Sequence, residues 1–326
     1  MLIDKHNRVV NYLRLAVTDK CNLRCSYCMP EDMKFVQNKE LLSYEEMIRL
    51  ATILAREGVS KIRITGGEPF LRKEIMNLLR SLSEIDGINK MAITSNATKT
   101  LEHLPELLSL GIRSFNISID SLDKERFYEI TRRDVFEDVM ICIREMMKMD
   151  IDLRLNCVVM RDKNIEDIIP FVELAQEEKV SVRFIEEMPF NGQGKNHSGI
   201  EWDYLRILEH IQSKYPNIQK LEDPKYSTSM NYRVAGFKGS FGLIPAYTRN
   251  FCGSCNRIRI TAQGKFKTCL YDDGIFNIKD FMRQGASDEQ LLDIVKEALA
   301  LKSKDGYEAE SSRTSSASES MSTIGG

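Results

Sequence analysis

Short apolar runs rich in β-branched residues alternate with longer segments of helical period along the first part of the chain. Repeated units of this kind build a parallel sheet with helices packed on its faces. The capping box at Ser43–Glu46 and the stop signal at Gly58 mark one such helix. The sequence therefore predicts an α/β fold with strands centred on Leu13 to Val17, Lys61 to Thr65, Met91 to Thr94, Phe115 to Ile119, Leu153 to Val159 and Val182 to Glu186.

Polar or cysteine-containing loops follow the first four predicted strands. These loops are Cys21 to Cys28, Gly66 to Pro69, Ser95-Asn96 and Asp120-Ser121. Curved parallel sheets carry catalytic groups at the carboxyl ends of their strands, so we expect the loops to meet at one site. The alternation of predicted strands and helices ends near residue 188. We expect a first region over 1–188, a second over 189–302 and, because residues 303–326 are rich in serine, a flexible tail.

The charge balance excludes two classes of partner. The chain has 46 Lys and Arg against 48 Asp and Glu, a net charge of −2, so no global field favours nucleic acid or an anionic membrane. No apolar run approaches the roughly 20 residues of a membrane span, and the first residues lack the apolar core of a secretory signal. We expect a soluble, cytoplasmic protein in which a local arginine cluster binds any anionic ligand.

Cys21, Cys25 and Cys28 lie within eight residues of one predicted loop. Thiols stay reduced in the cytosol, so this group predicts a metal site rather than disulfides. Structural zinc takes four ligands, and no fourth Cys or His is near in sequence. An iron-sulfur cluster held by three thiolates leaves one iron open to a small molecule. We favour the cluster and keep zinc as the alternative.

Cys252, Cys255 and Cys269 form a second group, and a turn at 262–265 is expected to return the third cysteine beside the first two. A zinc ribbon is a stronger alternative here, because ribbons carry their cysteines on hairpins. Arg257 and Arg259 alternate along the strand between the cysteines, so both side chains point in one direction. This alternation favours a second cluster beside a space for an anionic substrate.

The first triplet and the loop Gly66-Gly67-Glu68-Pro69 resemble the radical S-adenosylmethionine (SAM) superfamily. Further motifs make the chain similar, almost end to end, to the GTP 3′,8-cyclase family. They are Tyr12-Leu13-Arg14, Val17-Thr18-Asp19, Cys21 to Pro30, Arg63 to Pro69, Asn116 to Leu122, Arg183 to Met188, the second triplet and Gly325-Gly326. The resemblance implies an incomplete (β/α)6 TIM-type barrel with a C-terminal extension that binds the second cluster.

Carried over position by position, the resemblance also implies the site residues. Two [4Fe-4S] clusters would be held by Cys21, Cys25, Cys28, Cys252, Cys255 and Cys269, and SAM by Tyr27, Gly67, Ser118 and Met188. GTP would be held by Arg14, Arg63, Thr94, Arg154, Arg257 and Arg259. Arg154 stands where the family has a lysine, which keeps the charge. Gly325 and Gly326 are expected to act in catalysis with Arg257 and Arg259.

The implied reaction is a radical cyclisation by a lyase. A radical formed from SAM takes the C3′ hydrogen of the GTP ribose, and the ribose carbon attacks guanine C8 to give 3′,8-cyclo-7,8-dihydro-GTP. This product would pass to the cyclic pyranopterin monophosphate synthase in molybdenum cofactor biosynthesis. The reductant and the oligomeric state stay open, with a homodimer as one alternative. A radical SAM peptide maturase with an auxiliary cluster, or a zinc-binding nucleic-acid module, would explain the thiols but not the arginines, and the net charge argues against the module.

Overall fold

A computed structural model describes residues 1–190, 200–314 and 319–325 of the chain. Gly326, which the sequence predicts to act in catalysis, lies outside these described residues. Within them, all the strands belong to one sheet. In chain order the strands are β1 (Tyr12–Ala16), β2 (Lys61–Thr65), β3 (Lys90–Ser95), β4 (Ser114–Ser118), β5 (Asp152–Val159), β6 (Ser181–Glu186), β7 (Ile218–Lys220), β8 (Met230–Val234), β9 (Ser240–Ile244), β10 (Arg257–Ile260), β11 (Lys265–Lys267) and β12 (Phe276–Asn277).

The α-helices connect and cover these strands. They are α1 (Tyr44–Arg56), α2 (Ile75–Ser83), α3 (Thr100–Ser109), α4 (Lys124–Thr131), α5 (Phe136–Met147), α6 (Ile168–Glu177), α7 (Tyr204–Lys214), α8 (Ile278–Arg283), α9 (Asp288–Ala300), α10 (Gly306–Ser311) and α11 (Met321–Ile324). In the part of the chain that the structure describes, none of them is both long enough and apolar enough to cross a lipid bilayer.

Helix α1 shows how the local sequence specifies these elements. Ser43 Oγ accepts a hydrogen bond from the amide of Glu46, and the Glu46 carboxylate accepts one from the amide of Ser43, so the predicted capping box forms. Gly58, just beyond the helix, has a φ of +99°, a conformation that favours glycine. Met47 and Leu50 lie on the buried face, and each such side chain contributes about 1.5–3 kcal/mol through burial.

Strands β1 to β6 lie side by side in chain order, and every neighbouring pair among them is parallel. The prediction of an α/β fold with six parallel strand-helix units is therefore confirmed. The region after residue 188 continues the same sheet at both sides of this block. Strand β9 is parallel to β6, and β10 is parallel to β1. The order across the sheet is β12-β11-β10-β1-β2-β3-β4-β5-β6-β9-β8-β7.

A hairpin places the second cysteine group beside β1. Strands β10 and β11 are antiparallel, and Gly264 in the turn between them has a φ of +89°. Cys252 and Cys255 precede β10, and Cys269 follows β11, so the predicted turn returns the third cysteine to the first two. Because β10 is parallel to β1, with Arg257 opposite Tyr12, the hairpin places this group at the amino end of β1, whereas the Cys21–Cys28 loop leaves the carboxyl end of the same strand.

The described residues of the serine-rich tail differ from the flexible tail that composition predicts. They form α10 and α11, and Ile324 is only 1% exposed, packed with Phe190, Tyr271 and Ala309. Glu319 forms ion pairs with Lys265 and Lys267. Composition averages over the tail and misses these few anchoring side chains, which find their partners far away in sequence.

Candidate active site

A cavity of about 760 Å³ lies among the parallel strands and the loops that follow them. Its lining includes both cysteine triplets. It also includes every residue predicted to contact SAM or GTP, namely Tyr27, Gly67, Ser118, Met188, Arg14, Arg63, Thr94, Arg154, Arg257 and Arg259. Long stretches of sequence separate these residues, and the parallel sheet brings them to one space.

The thiols of the first triplet lie in a water-poor part of the cavity. Burial raises the pKa of Cys21 to about 11 and that of Cys28 to about 12. Burial, followed by repulsion from Asp120 and from the other two thiols, raises the pKa of Cys25 well above its usual value. Such thiols become thiolates when a bound metal centre supplies positive charge. Three cysteine sulfurs that line one cavity are the ligand type that iron-sulfur clusters take.

The arrangement of the possible metal-ligating side chains is a second observation on metal binding. Among the residues that the structure describes, no group of three or more His, Cys, Asp or Glu side chains is arranged to hold a metal ion.

Residues at the carboxyl ends of β4 and β6 line the cavity together with the first triplet. The hydroxyl of Tyr27 donates to Asp120 Oδ2 at 3.0 Å, and Asp120 Oδ1 accepts from the amide of Val158. Ser118 is the last residue of β4, and Met188 follows β6. Asp120 thus fixes the ring of Tyr27 between the cysteine loop and the sheet, a contact that the sequence motifs did not indicate.

The Gly66–Pro69 loop packs directly against the chain that leads to Cys21. The amide of Gly67 donates to the carbonyl of Thr18, and a Cβ added at Gly67 would lie 2.2 Å from the carbonyl oxygen of Lys20. Glycine is required here because two backbones meet. The carboxylate of Glu68 is fully buried and accepts from Ser95 Oγ and the amide of Asn96. Glu68 therefore joins the loops after β2 and β3.

The second triplet has a different electrostatic environment. Burial raises the pKa of Cys252, and it raises that of Cys269 to about 11. Burial also raises the pKa of Cys255, but the positive charges of Lys302 and Arg257 outweigh it and lower the value to about 7. Cys255 is therefore the thiol of this group whose thiolate form is most favoured by its surroundings.

Arginines on neighbouring strands form one cluster in the cavity. Arg14 on β1 lies opposite Arg63 on β2 and opposite Arg259 on β10 in the sheet register. Arg257 and Arg259 occupy alternate positions of β10, and both line the cavity. Arg154 joins from β5 and forms an ion pair with Asp152. The register of parallel strands, rather than proximity in sequence, brings these charges together.

The positive charges of this cluster repel one another. Burial, followed by repulsion from Arg259, lowers the pKa of Arg14 well below its usual value. Burial would raise the pKa of Tyr12, but the charges of Arg63, Arg14 and other cations outweigh it and lower the value to about 7. Its hydroxyl oxygen accepts from Arg63 Nε at 2.7 Å. Buried like charges of this kind favour binding of a polyanion that neutralises them.

Arg183, Asn116 and Asn156 line the same cavity but were not among the predicted site residues. Burial, followed by repulsion from Arg154, lowers the pKa of Arg183 to about 9. In the described chain, buried atoms without a hydrogen-bond partner include Arg183 Nε and the Oδ1 atoms of Asn116 and Asn156. Unpaired buried polar atoms in a cavity are suited to a polar ligand. The sequence pattern that could have identified these residues is a polar side chain at every second position of a strand, which indicates one polar face.

Residues 320–325 contact both the first cysteine triplet and the arginine cluster. Ser320 Oγ donates to the carbonyl of Cys28 at 2.8 Å, and Met321 and Ser322 line the cavity. The carbonyl oxygen of Gly325 accepts from Arg259 Nη1 at 3.1 Å. The structure therefore places Gly325 beside the arginine cluster.

Comparisons with known proteins agree with this geometry. Residues 15–175 match the model of the radical SAM superfamily, and residues 180–308 match that of Molybdenum Cofactor Synthesis C. The solved structure of Streptococcus suis SuiB bound to S-adenosylmethionine has a TM-score of 0.57 and 17% identity, and the match covers 89% of this chain and 69% of that one. At this identity the likeness shows the fold alone.

Two curated relatives match over most of this chain. Molybdenum cofactor biosynthesis protein 1 of Dictyostelium discoideum is 40% identical over 307 residues, which cover 93% of this chain and 49% of that protein. The chain thus spans about half the length of that relative. The mitochondrial GTP 3′,8-cyclase of Arabidopsis thaliana is 39% identical over 304 residues, which cover 93% of this chain and 78% of that protein. The chain therefore belongs to the GTP 3′,8-cyclase family of the radical SAM superfamily.

Proposed function

We propose that this chain is a lyase that converts GTP to 3′,8-cyclo-7,8-dihydro-GTP in the first step of molybdenum cofactor biosynthesis. One observation carries the proposal: both cysteine triplets and the buried arginine cluster line a single cavity. A radical cyclisation of a nucleoside triphosphate needs a radical source and a triphosphate site that face the same space, because the reacting atoms must be held together.

The two triplets would each hold a [4Fe-4S] cluster through three thiolates. The fit rests on the donor set, since all three sulfurs of each triplet line the cavity and thiolates are the ligands that iron-sulfur clusters take. The first cluster would supply the electron that splits SAM, and the second would supply an iron that binds the purine. Structural zinc remains the less favoured alternative, because it takes a fourth protein ligand.

The residues around the first triplet would orient SAM. Tyr27, Gly67, Ser118 and Met188 face the cavity on the side of Cys21–Cys28. Asp120 holds the Tyr27 hydroxyl in place at 3.0 Å, so the ring and the backbone of the glycine loop present a fixed surface. Such fixed contacts position the adenosyl group relative to the ribose that it attacks.

The arginines would bind the triphosphate and fix the nucleotide. Arginine suits this role because its planar group makes two parallel hydrogen bonds to phosphate and stays charged. Arg63 is held by Tyr12 and by the carbonyl of Ile93 at 3.0 Å, and its Nη1 lies 3.3 Å from Thr94 Oγ1. We include Arg183 in this set, since its Nε has no hydrogen-bond partner among the described residues. A bound triphosphate would relieve the repulsion within the cluster.

The partner assignments follow from the proposed product. The cyclised nucleotide would pass to the cyclic pyranopterin monophosphate synthase. A cytoplasmic location stays a prediction that cell fractionation tests, and the oligomeric state stays open, with a homodimer as one alternative that sedimentation of the purified protein tests.

Product analysis with labelled substrate tests the proposal. We would incubate the anaerobically reconstituted protein with SAM, dithionite and GTP carrying deuterium at ribose C3′. The expected result is deuterium in 5′-deoxyadenosine together with the cyclised nucleotide in the mass spectrum. GTP labelled at C2′ is the matched control and should transfer no deuterium. SAM cleavage without transfer from C3′ and without cyclised nucleotide would overturn the proposed function.

A further inference from the structure

Lys302, just beyond α9, is a buried lysine at the second cysteine triplet. The residue is only 2% exposed. Its ammonium donates to the carbonyl of Arg257 at 2.6 Å and to the carbonyl of Thr268 at 2.9 Å, and it lies 3.9 Å from Cys255 Sγ. Thr268 immediately precedes Cys269, so Lys302 joins the chain segments that carry two of the three thiols.

The charge of Lys302 has no carboxylate partner within the residues that the structure describes. Two other buried cations of this region do have carboxylate partners. Lys267 pairs with Glu319 at 2.9 Å, and Arg8, which donates to the carbonyl of Cys252, pairs with Asp4 at 2.6 Å. A buried ammonium is costly unless an opposite charge compensates it. The nearest groups that can supply negative charge to Lys302 are the thiolates of the triplet.

Lys302 also differs in position from the arginines of the cavity. Arg257 and Arg259 line the cavity, whereas Lys302 is outside the described lining. An anionic substrate in the cavity neutralises the arginines that it touches. The ammonium of Lys302 contacts two backbone carbonyls and Cys255 Sγ and is not among the groups that a ligand in the cavity would touch.

We propose that Lys302 is a positioning residue for the second iron-sulfur cluster, whose ammonium stabilises the more negative, reduced state of that cluster with or without substrate. The proposal rests on the proposed function, which assigns Cys252, Cys255 and Cys269 as cluster ligands. The physical basis is that charges and hydrogen bonds near the sulfurs set the reduction potential of such clusters. One electron from an external reductant such as dithionite converts the oxidised cluster to the reduced one, and no other bond changes.

A redox titration of the holoenzyme, followed by electron paramagnetic resonance, tests this proposal. Lys302→Gln removes the charge but keeps a donor, whereas Lys302→Arg keeps the charge. In Lys302→Gln we expect the reduced-to-oxidised ratio of the second cluster at fixed potential to fall at least about tenfold, which is a shift of about 59 mV for a one-electron couple. Lys302→Arg should stay within a few-fold of the wild type, and both results should hold with and without GTP.

Two controls separate charge from general damage. The first cluster, identified by the response of its spectrum to SAM, should keep its potential in every variant. Lys279 is also buried and donates to the carbonyl of Glu40 at 2.7 Å, outside the cavity lining. Lys279→Gln should therefore leave both potentials unchanged.

The possible results are distinguishable. An intact second cluster with unchanged potential in Lys302→Gln would overturn the inference, and so would loss of that cluster in both Lys302 variants, because it would indicate a role in folding only. Loss of the cluster in Lys302→Gln with retention in Lys302→Arg would support the dependence on charge. A wild-type protein that binds iron at one triplet only would instead refute the ligand assignment of the proposed function.

Discussion

Arg259 Nη1 donates a hydrogen bond to the carbonyl oxygen of Gly325 at 3.1 Å. Gly325 has a φ of +79°, and a Cβ added there would lie 2.8 Å from Ala16 Cβ and 3.3 Å from Thr65 Cγ2. Ala16 and Thr65 are the last residues of β1 and β2. The end of the chain is therefore fitted closely to the carboxyl ends of two strands, where a larger residue would clash.

Deleting Gly325 and Gly326 should separate SAM cleavage from cyclisation. The cysteines and the SAM contacts remain, so we expect both clusters and reductive SAM cleavage to persist. Arg259 loses its contact with Gly325, and formation of the cyclised nucleotide should fall strongly. Anaerobic assays that quantify 5′-deoxyadenosine and cyclised nucleotide in the same sample measure the two steps. Full cyclase activity in the chain that ends at Ile324 would show that the terminal residues are dispensable.

A point substitution with a matched control tests the close fit at Gly325. Gly325→Ala should reduce cyclisation in the same way as the deletion. Gly285 has a similar φ of +89°, but nothing lies within 4 Å of an added Cβ. Gly285→Ala should cost about 1 kcal/mol of stability through backbone strain alone and leave product formation unchanged.

Replacing one cysteine triplet at a time should remove one cluster at a time. Alanine at Cys21, Cys25 and Cys28 should remove about half the iron and all SAM cleavage, because the triplets bind separate clusters. Alanine at the second triplet should keep SAM cleavage and abolish productive GTP binding. Iron analysis and SAM cleavage assays measure both effects. Cys142→Ala, at a buried cysteine on α5, is the control. Retained SAM cleavage in the first variant would refute the ligand assignment.

Arg257→Ala should lower GTP affinity or turnover at least about tenfold. Losing one charge-assisted hydrogen bond typically costs about 1.5–3 kcal/mol, and Arg257 lines the cavity beside Tyr226, whose carbonyl it contacts at 2.9 Å. Isothermal titration with GTP under anaerobic conditions measures the affinity. Arg144→Ala removes an exposed arginine of α5 and should change nothing. Equal GTP affinity in a folded Arg257→Ala protein would remove Arg257 from the binding site.

Tyr12 should make stability depend on pH. The surrounding arginines lower its pKa from 10.0 to about 7 in the folded state despite burial. The folded protein therefore releases the phenol proton at a lower pH than the unfolded chain, so this group raises the free energy of unfolding as pH increases from about 7 to 10. The contribution is lost as pH falls through about 7. Denaturation of the wild type and Tyr12→Phe across this range measures it, and parallel pH profiles would contradict the prediction.

A bound triphosphate should shift the ionisation of Tyr12. Phosphate charge opposes the arginines that stabilise the phenolate, so GTP should raise the Tyr12 pKa. Tyrosinate absorbance, with Tyr12→Phe as the blank, follows this change. The comparison requires no catalysis and reports on the arginine cluster directly.

The sequence predicted the features that depend on local pattern. The strand at Lys61–Thr65 has the predicted bounds, because alternating apolar residues and the flanking turns are local signals. The residues predicted for SAM and GTP lie in one cavity because their motifs sit on strands whose register brings them together. Their roles remain proposals.

Features set by distant contacts were not predicted. Strand β9 pairs in parallel with β6 although β7 and β8 lie between them in the chain, and no local sequence pattern predicts that pairing. Lys302 belongs to a polar Lys-Ser-Lys segment that resembles a solvated helix end, yet the carbonyls of Arg257 and Thr268 surround its ammonium. In the sequence alone Arg183 is an isolated charge, whereas the register of β5 and β6 places it opposite Asn156.

Glu319 should act as the anchor of the terminal segment. Its carboxylate lies 2.9 Å from Nζ of Lys267, which is fully buried, and 3.2 Å from Nζ of Lys265. Burial raises the pKa of Glu319, but these two lysines outweigh it, so the carboxylate stays charged. The next residue, Ser320, contacts the carbonyl of Cys28. The ion pairs therefore hold the segment that brings Gly325 to Arg259.

Glu319→Gln removes this charge while keeping the shape of the side chain. Leaving one partner of a buried pair unpaired typically costs about 3–5 kcal/mol, and the cost here should be smaller because Glu319 is one-fifth exposed. We expect faster proteolysis of residues 319–325 and at least about a tenfold loss of cyclised nucleotide, with SAM cleavage retained. Glu297→Gln, on the exposed face of α9, is the matched control. If proteolysis and product formation both match the wild type, the segment is held by its other contacts, such as the packing of Ile324 and the Ser320–Cys28 hydrogen bond, and the lysine pair contributes nothing to positioning Gly325.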